Sequence, residues 1–399
     1  MTDQKVSELK IQELCAKARA EIQGLRPYQP GKPIDELARE FGLNADDIVK
    51  LASNENPTGP SKKAIAAIEK EARELTRYPD GNGFELKQAL SSKLSGKNTN
   101  DAVVVKPENI TLGNGSSDIL DFIVKCFVGQ NEEVVFSQHA FAIYGLVTKI
   151  QGGQCKVVPA KNYGHDLDAM AAAISAKTRL VFVTNPNNPT GTWLTQAEVA
   201  DFMAKVPSDV VVVLDEAYFE YVDEATYCNG LTLFAQYPNL VVTRTFSKAY
   251  GLASLRVGYG ISSPELADLM NRVRPPFNVN SFALAAAVAT LSDDEYVAQS
   301  KATNDAGMAY LTKAFDQLGL PFIPSVGNFI SFEIPALING IDNTISAAEV
   351  DGKLLAAGVI VRPIANYEMP AFLRVSIGTM AENEIFIKAL TNILAEEKS

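Results

Sequence analysis

Residues 240–261 read LVVTRTFSKAYGLASLRVGYGI. Leu240–Thr243 and Val257–Ile261 are short β-branched or apolar runs, each the length of a buried strand. Between them lies a loop of hydroxyl side chains that carries Lys248 and, eight positions later, Arg256. A lone lysine is ordinarily a solvated surface residue. This one follows directly on a strand, among groups suited to a phosphate and a reactive amine.

The same texture extends outward. From about residue 60 to 290, helical patterns alternate with strand candidates at Asn109–Leu112, Glu133–Ser137, Lys156–Pro159, Leu180–Thr184 and Val210–Leu214, each followed by polar, Gly or Pro residues. Such alternation predicts an α/β domain around a largely parallel sheet whose strands are buried on both faces. Ile65, Ile68, Ala72 and Leu75 are expected to line one face of a helix. Beyond Ser292 the pattern changes to long helices (Glu295 to Leu318, Ala381 to Glu396) with short strands at Phe329–Phe332, Val359–Val361 and Leu373–Ile377, a smaller α+β domain. The expected division is an N-terminal segment 1–57 packing on the small domain and the cleft, a large domain 58–291 and a small domain 292–399. A chain of 399 residues is long enough for two cores, since single cores stop growing near ~250–300 residues.

A net charge of −11 opposes binding to nucleic acid, which needs a basic face, and favours small-molecule partners. Cys15, Cys126, Cys155 and Cys228 form no CxxC pair and have no histidines at zinc-ligand spacing, which points to reduced thiols, a cytoplasmic setting and no metal. The first residues, MTDQKVSELKIQELCAKARAEI, mix charge and apolar residues at helical spacing and lack a signal peptide's apolar core. Apolar stretches such as Phe282 to Ala289 fall far short of the ~20 residues that span a bilayer, so no membrane association is expected.

Three further segments carry chemistry. Gly113-Asn114-Gly115-Ser116-Ser117-Asp118 follows a strand and opens an apolar helix, so it is either a capped helix start or an anion cradle. Asn185-Pro186-Asn187-Asn188-Pro189-Thr190-Gly191 follows Leu180–Thr184 and is either a turn or a rigid loop of fixed amide donors. Asp215 ends the buried run Val210–Leu214, as a helix cap or as a functional carboxylate at the sheet's carboxyl edge, with the phenol of Tyr218 three residues on. Together with Lys248 these supply what a pyridoxal phosphate site requires.

At this point the residues resemble a known family. NPNNPTG, DEAYFEY and TFSKAYGLASLRVGY are similar to fold-type I aminotransferases, with their aspartate-aminotransferase-like fold, and within them to the histidinol-phosphate aminotransferases. LRPYQPGKP, LASNENPTGPS, RYPDGNG at 77–83 and LRVSIGT at 373–379 match the same subfamily. The resemblance implies that Lys248 holds the cofactor as a Schiff base and moves the proton, and that Asp215 pairs with the pyridine nitrogen. It implies that Asn188 and Tyr218 bond the cofactor's phenolic oxygen, and that Gly115, Ser116, Ser117, Thr245, Ser247 and Arg256 hold its phosphate. Tyr78 would reach that phosphate from the other subunit of a homodimer. Arg374 would take a substrate carboxylate, while Arg362 and Tyr28 would take the phosphate of histidinol phosphate. Arg362 alone also has a blander reading, as a surface arginine after a strand.

Phe141 stands where relatives often carry a tyrosine stacking on the pyridine ring, and Ser117 takes a position often acidic in relatives. His139 and His165 lack the partners of a triad or metal site and read as structural. The implied activity is transamination between L-histidinol phosphate and 2-oxoglutarate, giving imidazole-acetol phosphate and glutamate, in histidine biosynthesis. The rivals are an aromatic amino-acid aminotransferase, a phospho-amino-acid decarboxylase and, outside enzymes, an effector domain of a transcription factor. The last would need a DNA-binding module for which the short N-terminus leaves no room.

Overall fold

The computed structural model describes residues 10–27, 31–96, 103–338, 340–342 and 344–396. After a first short strand, β1 (Val49–Lys50), come β2 (Ile110–Gly113), β3 (Glu133–Ser137), β4 (Gln154–Val158) and β5 (Thr178–Thr184). β6 (Val211–Asp215), β7 (Leu240–Thr245) and β8 (Gly258–Ile261) complete a seven-stranded sheet in the order β2-β8-β7-β6-β5-β3-β4. The pairs from β7 through β4 are parallel, and β8 runs antiparallel to both β7 and β2. The sheet is therefore mixed and mainly parallel, as the alternating sequence predicts.

The central strands are continuous apolar runs because helices cover both faces. Each fully buried Val or Leu contributes roughly 1.5–3 kcal/mol relative to exposure. β4 departs from the expectation: as an edge strand it leaves Gln154 and Val157 exposed. The glycines of β8 have a definite purpose. A Cβ on Gly260 would lie 2.6 Å from Ile119 Cγ2, and one on Gly258 would lie 2.4 Å from the Ser116 amide nitrogen. Bare backbone at both positions lets the helix Ser116–Phe127 lie close across the sheet, with its first turn at the strands' carboxyl edge.

The expected helix face at 65–75 is corrected. The helix spans Lys62–Glu71, starts at the Ser61 cap and ends before Leu75, which is exposed. Small Ala64 joins Ala283, Ala286 and Ala287 of the helix Ser281–Leu291 in one apolar cluster, and bulkier Ile65 is turned outward. Close packing of two alanine faces decides the orientation, which apolar spacing alone does not reveal.

After the helix Asp294–Leu318 the chain forms β9 (Phe322–Ile323), β10 (Phe329–Glu333), and a ribbon of β11 (Leu337–Ile338) and β12 (Ile341–Asp342). β13 (Val359–Ile360), β14 (Arg362–Pro363) and β15 (Phe372–Ser376) follow, then the helix Met380–Glu396. A four-stranded antiparallel sheet, β14-β15-β10-β9, packs its apolar residues with these helices in a separate core around Phe315, Phe332 and Phe386. β1 pairs in parallel with β13, so the N-terminal segment is woven into this second body. Arg19 Nη2 also donates to the Ile150 carbonyl of the first body at 2.7 Å. Among the described residues no helix is long and apolar enough to cross a membrane.

Candidate active site

Register builds the floor of the site. Thr184, Asp215 and Thr243 are neighbours across β5, β6 and β7, so in a parallel sheet their side chains share one face. Thr243 Oγ1 donates to Asp215 Oδ1 at 2.9 Å, and the Tyr144 hydroxyl donates to Oδ2 at 2.8 Å. Burial pushes the Asp215 carboxyl above its usual range, and these two bonds pull it back. A buried carboxylate held only by neutral hydroxyls suits a cationic partner.

The cradle lies at the same edge. Gly115, at φ 77°, precedes the helix Ser116–Phe127, whose first amides lack intrahelical partners. Asp118 occupies one donor by accepting from the Asn114 amide at 2.8 Å. Arg256 lies directly above, and a Cβ on Gly115 would come within 2.6 Å of its Nη2. Arg256 Nη1 also donates to Ser247 Oγ at 3.3 Å, while Thr245 Oγ1 accepts from the Ser247 amide at 3.1 Å. Hydroxyls, amides and a guanidinium thus converge on one spot, a phosphate-sized concentration of donors.

Lys248 Nζ donates to the Ser53 carbonyl at 3.0 Å, under a strap formed by Ala52, Ser53 and Asn54. Burial is the main cause that depresses its amine, and repulsion from Arg374 and Arg256 adds to it against a pull from Glu55. Together they bring Lys248 from the ordinary 10.5 to about 7, so a neutral, nucleophilic amine is available near neutrality. The sign for stability follows. Between about pH 7 and 10.5 the unfolded chain keeps a proton that the folded one has released, so this group makes stability rise with pH there. In protein stripped of cofactor, the stability advantage of Lys248→Met over the parent should shrink across that window, as read by urea unfolding. A pH-independent difference would exclude a depressed amine.

Tyr218, buried, accepts from Asn54 Nδ2 at 2.9 Å and so keeps its own proton to donate into the cleft. Burial pushes this phenol up to about 12. Asn54 is pinned in turn, with its amide donating to Ser376 Oγ at 2.7 Å. Arg374 Nη1 donates to Asn188 Oδ1 and Nη2 to the Ala52 carbonyl at 2.8 Å, which turns the Asn188 amide nitrogen outward as a donor. The loop before it is rigid: Asn187 Nδ2 donates to the His139 carbonyl at 2.9 Å and to Thr190 Oγ1 at 2.8 Å. Arg362 and Arg374 are direct cross-strand partners on β14 and β15.

Gly115, Ser116, Ser117, Phe141, Asn188, Asp215, Tyr218, Thr245, Ser247, Lys248, Arg256, Arg362 and Arg374 all line one cleft of about 280 Å³. Tyr78 does not. It is 83% exposed and stacks on Phe277 with ring centroids 4.8 Å apart. Tyr28 lies outside the described residues. His139 Nδ1 bonds the Tyr367 carbonyl at 2.7 Å, and His165 Nε2 contacts Thr184 O at 2.9 Å, so both hold backbone.

The sequence reading missed Asn54, Tyr144, Thr184, Thr243 and Tyr367. A tyrosine inside the apolar run IYGLV is one signal that was available, since a buried phenol needs a hydrogen-bond partner.

The family model for aminotransferases of class I and II matches residues 46–390. The chain is 54% identical over 380 residues to histidinol-phosphate aminotransferase 2 of Pseudomonas fluorescens strain Pf0-1, covering 95% of this chain and 98% of that one. It is 53% identical over 379 residues to histidinol-phosphate aminotransferase 1 of Nitrosococcus oceani, covering 95% and 97%. Its backbone is similar to the crystal structure of histidinol-phosphate aminotransferase from Sinorhizobium meliloti in complex with pyridoxal-5'-phosphate, with a TM-score of 0.83, 27% identity and coverage of 95% and 98%. An aspartate aminotransferase variant from Thermus thermophilus, 19% identical, shares the fold with a TM-score of 0.80 over 94% of this chain and 98% of that one.

Proposed function

The chain belongs to the class I and II aminotransferases, and from that premise we propose that it transfers an amino group between L-histidinol phosphate and 2-oxoglutarate, a step of histidine biosynthesis. The observation that carries the substrate choice is the pairing of Arg362 with Arg374 across β14 and β15, at the wall of the cleft that holds Lys248. Like charges directly opposed repel, so this wall favours a multiply anionic substrate. Glutamate, with two carboxylates, and histidinol phosphate, with its phosphate, answer that charge. Phenylalanine, with one carboxylate, answers half of it.

The residues fit pyridoxal phosphate as cofactor. The donors around Gly115 suit its phosphate, the buried Asp215 suits its ring nitrogen, and the Asn188 amide and Tyr218 hydroxyl suit its phenolic oxygen. When bound, pyridoxal phosphate supplies an aldehyde that takes up the amino group and a protonated ring that draws in the electron pair left at Cα. Lys248 Nζ would hold the cofactor covalently and, once freed by the substrate's amine, would serve as the base that moves the substrate's Cα proton. Asp215 would hold the proton of the ring nitrogen in place. Arg374 would orient a carboxylate of glutamate through two parallel N–H groups, and Arg362, with Tyr28, would receive the phosphate of histidinol phosphate. Phe141 would offer an aromatic face to the ring.

The wider organisation belongs to the same reading. Tyr78, exposed and stacked on the likewise exposed Phe277, suits contact with a second copy of the chain, and in that homodimer it enters the partner's cleft beside the phosphate. The division at 57/58 and 291/292 is supported by the separate cores, with the N-terminal segment strapping the cleft. Free cysteines suit a cytoplasmic site of action.

The test is a half-reaction with purified holoenzyme, following the cofactor's absorbance with histidinol phosphate, glutamate and phenylalanine in parallel. Histidinol phosphate and glutamate should react efficiently. Faster reaction with phenylalanine, or release of carbon dioxide from a phosphorylated amino acid, would overturn the assignment. In Arg362→Ala the KM for histidinol phosphate should rise about 10- to 100-fold, the loss of one charge-assisted hydrogen-bonded contact. The KM for glutamate should change less, and equal changes would reassign Arg362.

A further inference from the structure

Besides Thr243 of the neighbouring strand, Asp215 has a partner from a helix far from it in sequence. Tyr144, fully buried in the helix Ile143–Ile150, places its hydroxyl 2.8 Å from Asp215 Oδ2 and 2.7 Å from Thr184 Oγ1. Its ring stacks on Phe182 at 4.3 Å and is met edge-on by Phe141 at 6.0 Å. We infer that Tyr144 is a positioning residue for the cofactor's ring nitrogen, acting through the ionised carboxylate of Asp215. The inference rests on the reading that Asp215 faces that nitrogen.

Proton bookkeeping supports it. An ionised carboxylate only accepts, so the single proton of Tyr144 is committed to Oδ2 and that of Thr243 to Oδ1. Tyr144 must then accept from Thr184, which fixes a one-way chain, Thr184 to Tyr144 to Asp215. Every hydroxyl in the chain is oriented toward holding negative charge on Asp215. A proton shared between the carboxylate and the ring nitrogen is thereby left on the nitrogen, where the electron sink needs it. Protonating Asp215 would remove its charge and so weaken both of the bonds it accepts. The register that sets Thr184 and Thr243 on either side of Asp215 makes the arrangement a property of the sheet. The aromatic packing leaves Tyr144 no solvent, so water has no access to replace a deleted hydroxyl.

Hydroxyl deletion tests the idea. Tyr144→Phe keeps the ring and its stacking, and thermal unfolding of the holoenzyme checks that the fold persists. Pyridoxal phosphate affinity, measured by titrating the stripped protein, should fall about 10- to 100-fold, the effect of a hydrogen bond to a charged group. The magnetic-resonance shift of a cofactor labelled at the ring nitrogen should move from the protonated toward the neutral position. In an Asp215→Asn background the same substitution should change affinity less than about 2-fold, because coupled residues are non-additive. Thr184→Val, one step further along the chain, should move the nitrogen signal in the same direction by less, and serves if Tyr144→Phe fails to fold. Equal losses in both backgrounds, or an unmoved nitrogen signal in Tyr144→Phe and Thr184→Val, would overturn the role of Tyr144. A nitrogen signal that Asp215→Asn itself leaves unchanged would instead remove the assignment of Asp215, and the inference with it.

Discussion

The Lys248→Ala protein is expected to fold, to keep pyridoxal phosphate loosely in the Gly115–Arg256 cradle, and to lose turnover by roughly 10,000-fold, the upper range for a positioned proton-transfer group. The size of the effect follows from the site's construction. Lys248 is the amine beneath the 52–54 strap, held at 3.0 Å from the Ser53 carbonyl and depressed to about 7. On the proposed function, its removal deletes both the covalent attachment and the group that moves the proton. The check is twofold: the absorbance of the lysine-linked cofactor should vanish, and a small external amine, able to occupy the space left by the side chain, should restore part of the rate. Lys248→Arg should not restore it, because a guanidinium stays protonated and cannot act as nucleophile or base. Normal turnover in Lys248→Ala would end the functional reading.

The residues gathered in this cleft were legible for a physical reason. Parallel strands buried on both faces are apolar runs, so the polar residue that ends each run is conspicuous: Asp215 and Thr245 both stand at such ends. A crevice at the carboxyl ends of an open α/β sheet then gathers residues that are remote in the chain. What escaped were partners whose role depends on register or on packing between elements. Tyr144 reaches Asp215 only because its side chain, from the helix after β3, lies along Phe182 of β5, and its surroundings in sequence are those of a core residue. Asn54 bonds Tyr218 across 164 residues. The opposition of Arg362 and Arg374 exists only once β14 and β15 pair. The close approach of β8 to the helix Ser116–Phe127 rests on glycines 258 and 260, whose demand for bare backbone comes from residues more than a hundred positions earlier.

The second large effect concerns stability, on the other face of the same strands. Side chains alternate along β7, so while Thr243 and Thr245 serve the cleft, Arg244 points to the opposite face. There its Nε and Nη2 donate to Glu216 Oε2 at 2.9 and 2.7 Å, and both residues are buried. The pair has further partners. Glu216 Oε1 accepts from the Gly230 amide at 2.6 Å, Arg244 Nη2 also donates to Asn229 Oδ1 at 2.9 Å, and the guanidinium lies 3.5 Å over the Phe219 ring. Burial pushes the Glu216 carboxyl up while Arg244 pulls it back, and burial pushes Arg244 down while Glu216 more than offsets it. Each charge favours the other's ionised form. Arg244→Met is therefore expected to cost about 3–5 kcal/mol, the penalty for stranding one buried charge. Glu216→Leu should cost a similar amount by stranding the guanidinium. The double variant should recover much of the loss, since replacing both charges with apolar groups removes the stranded ion, and the two effects should be strongly non-additive. Urea unfolding of the four holoenzymes measures the cycle. Additive losses, or a cost below about 1 kcal/mol for Arg244→Met, would mean the pair is solvated and weak. The effect also reaches the chemistry, because Glu216 follows Asp215 and Arg244 follows Thr243. Loosening the pair loosens the β6–β7 register that sets the 2.9 Å bond between Thr243 and Asp215. The single variants should consequently hold pyridoxal phosphate more weakly even where they remain folded, while leaving the arginines of β14 and β15 untouched.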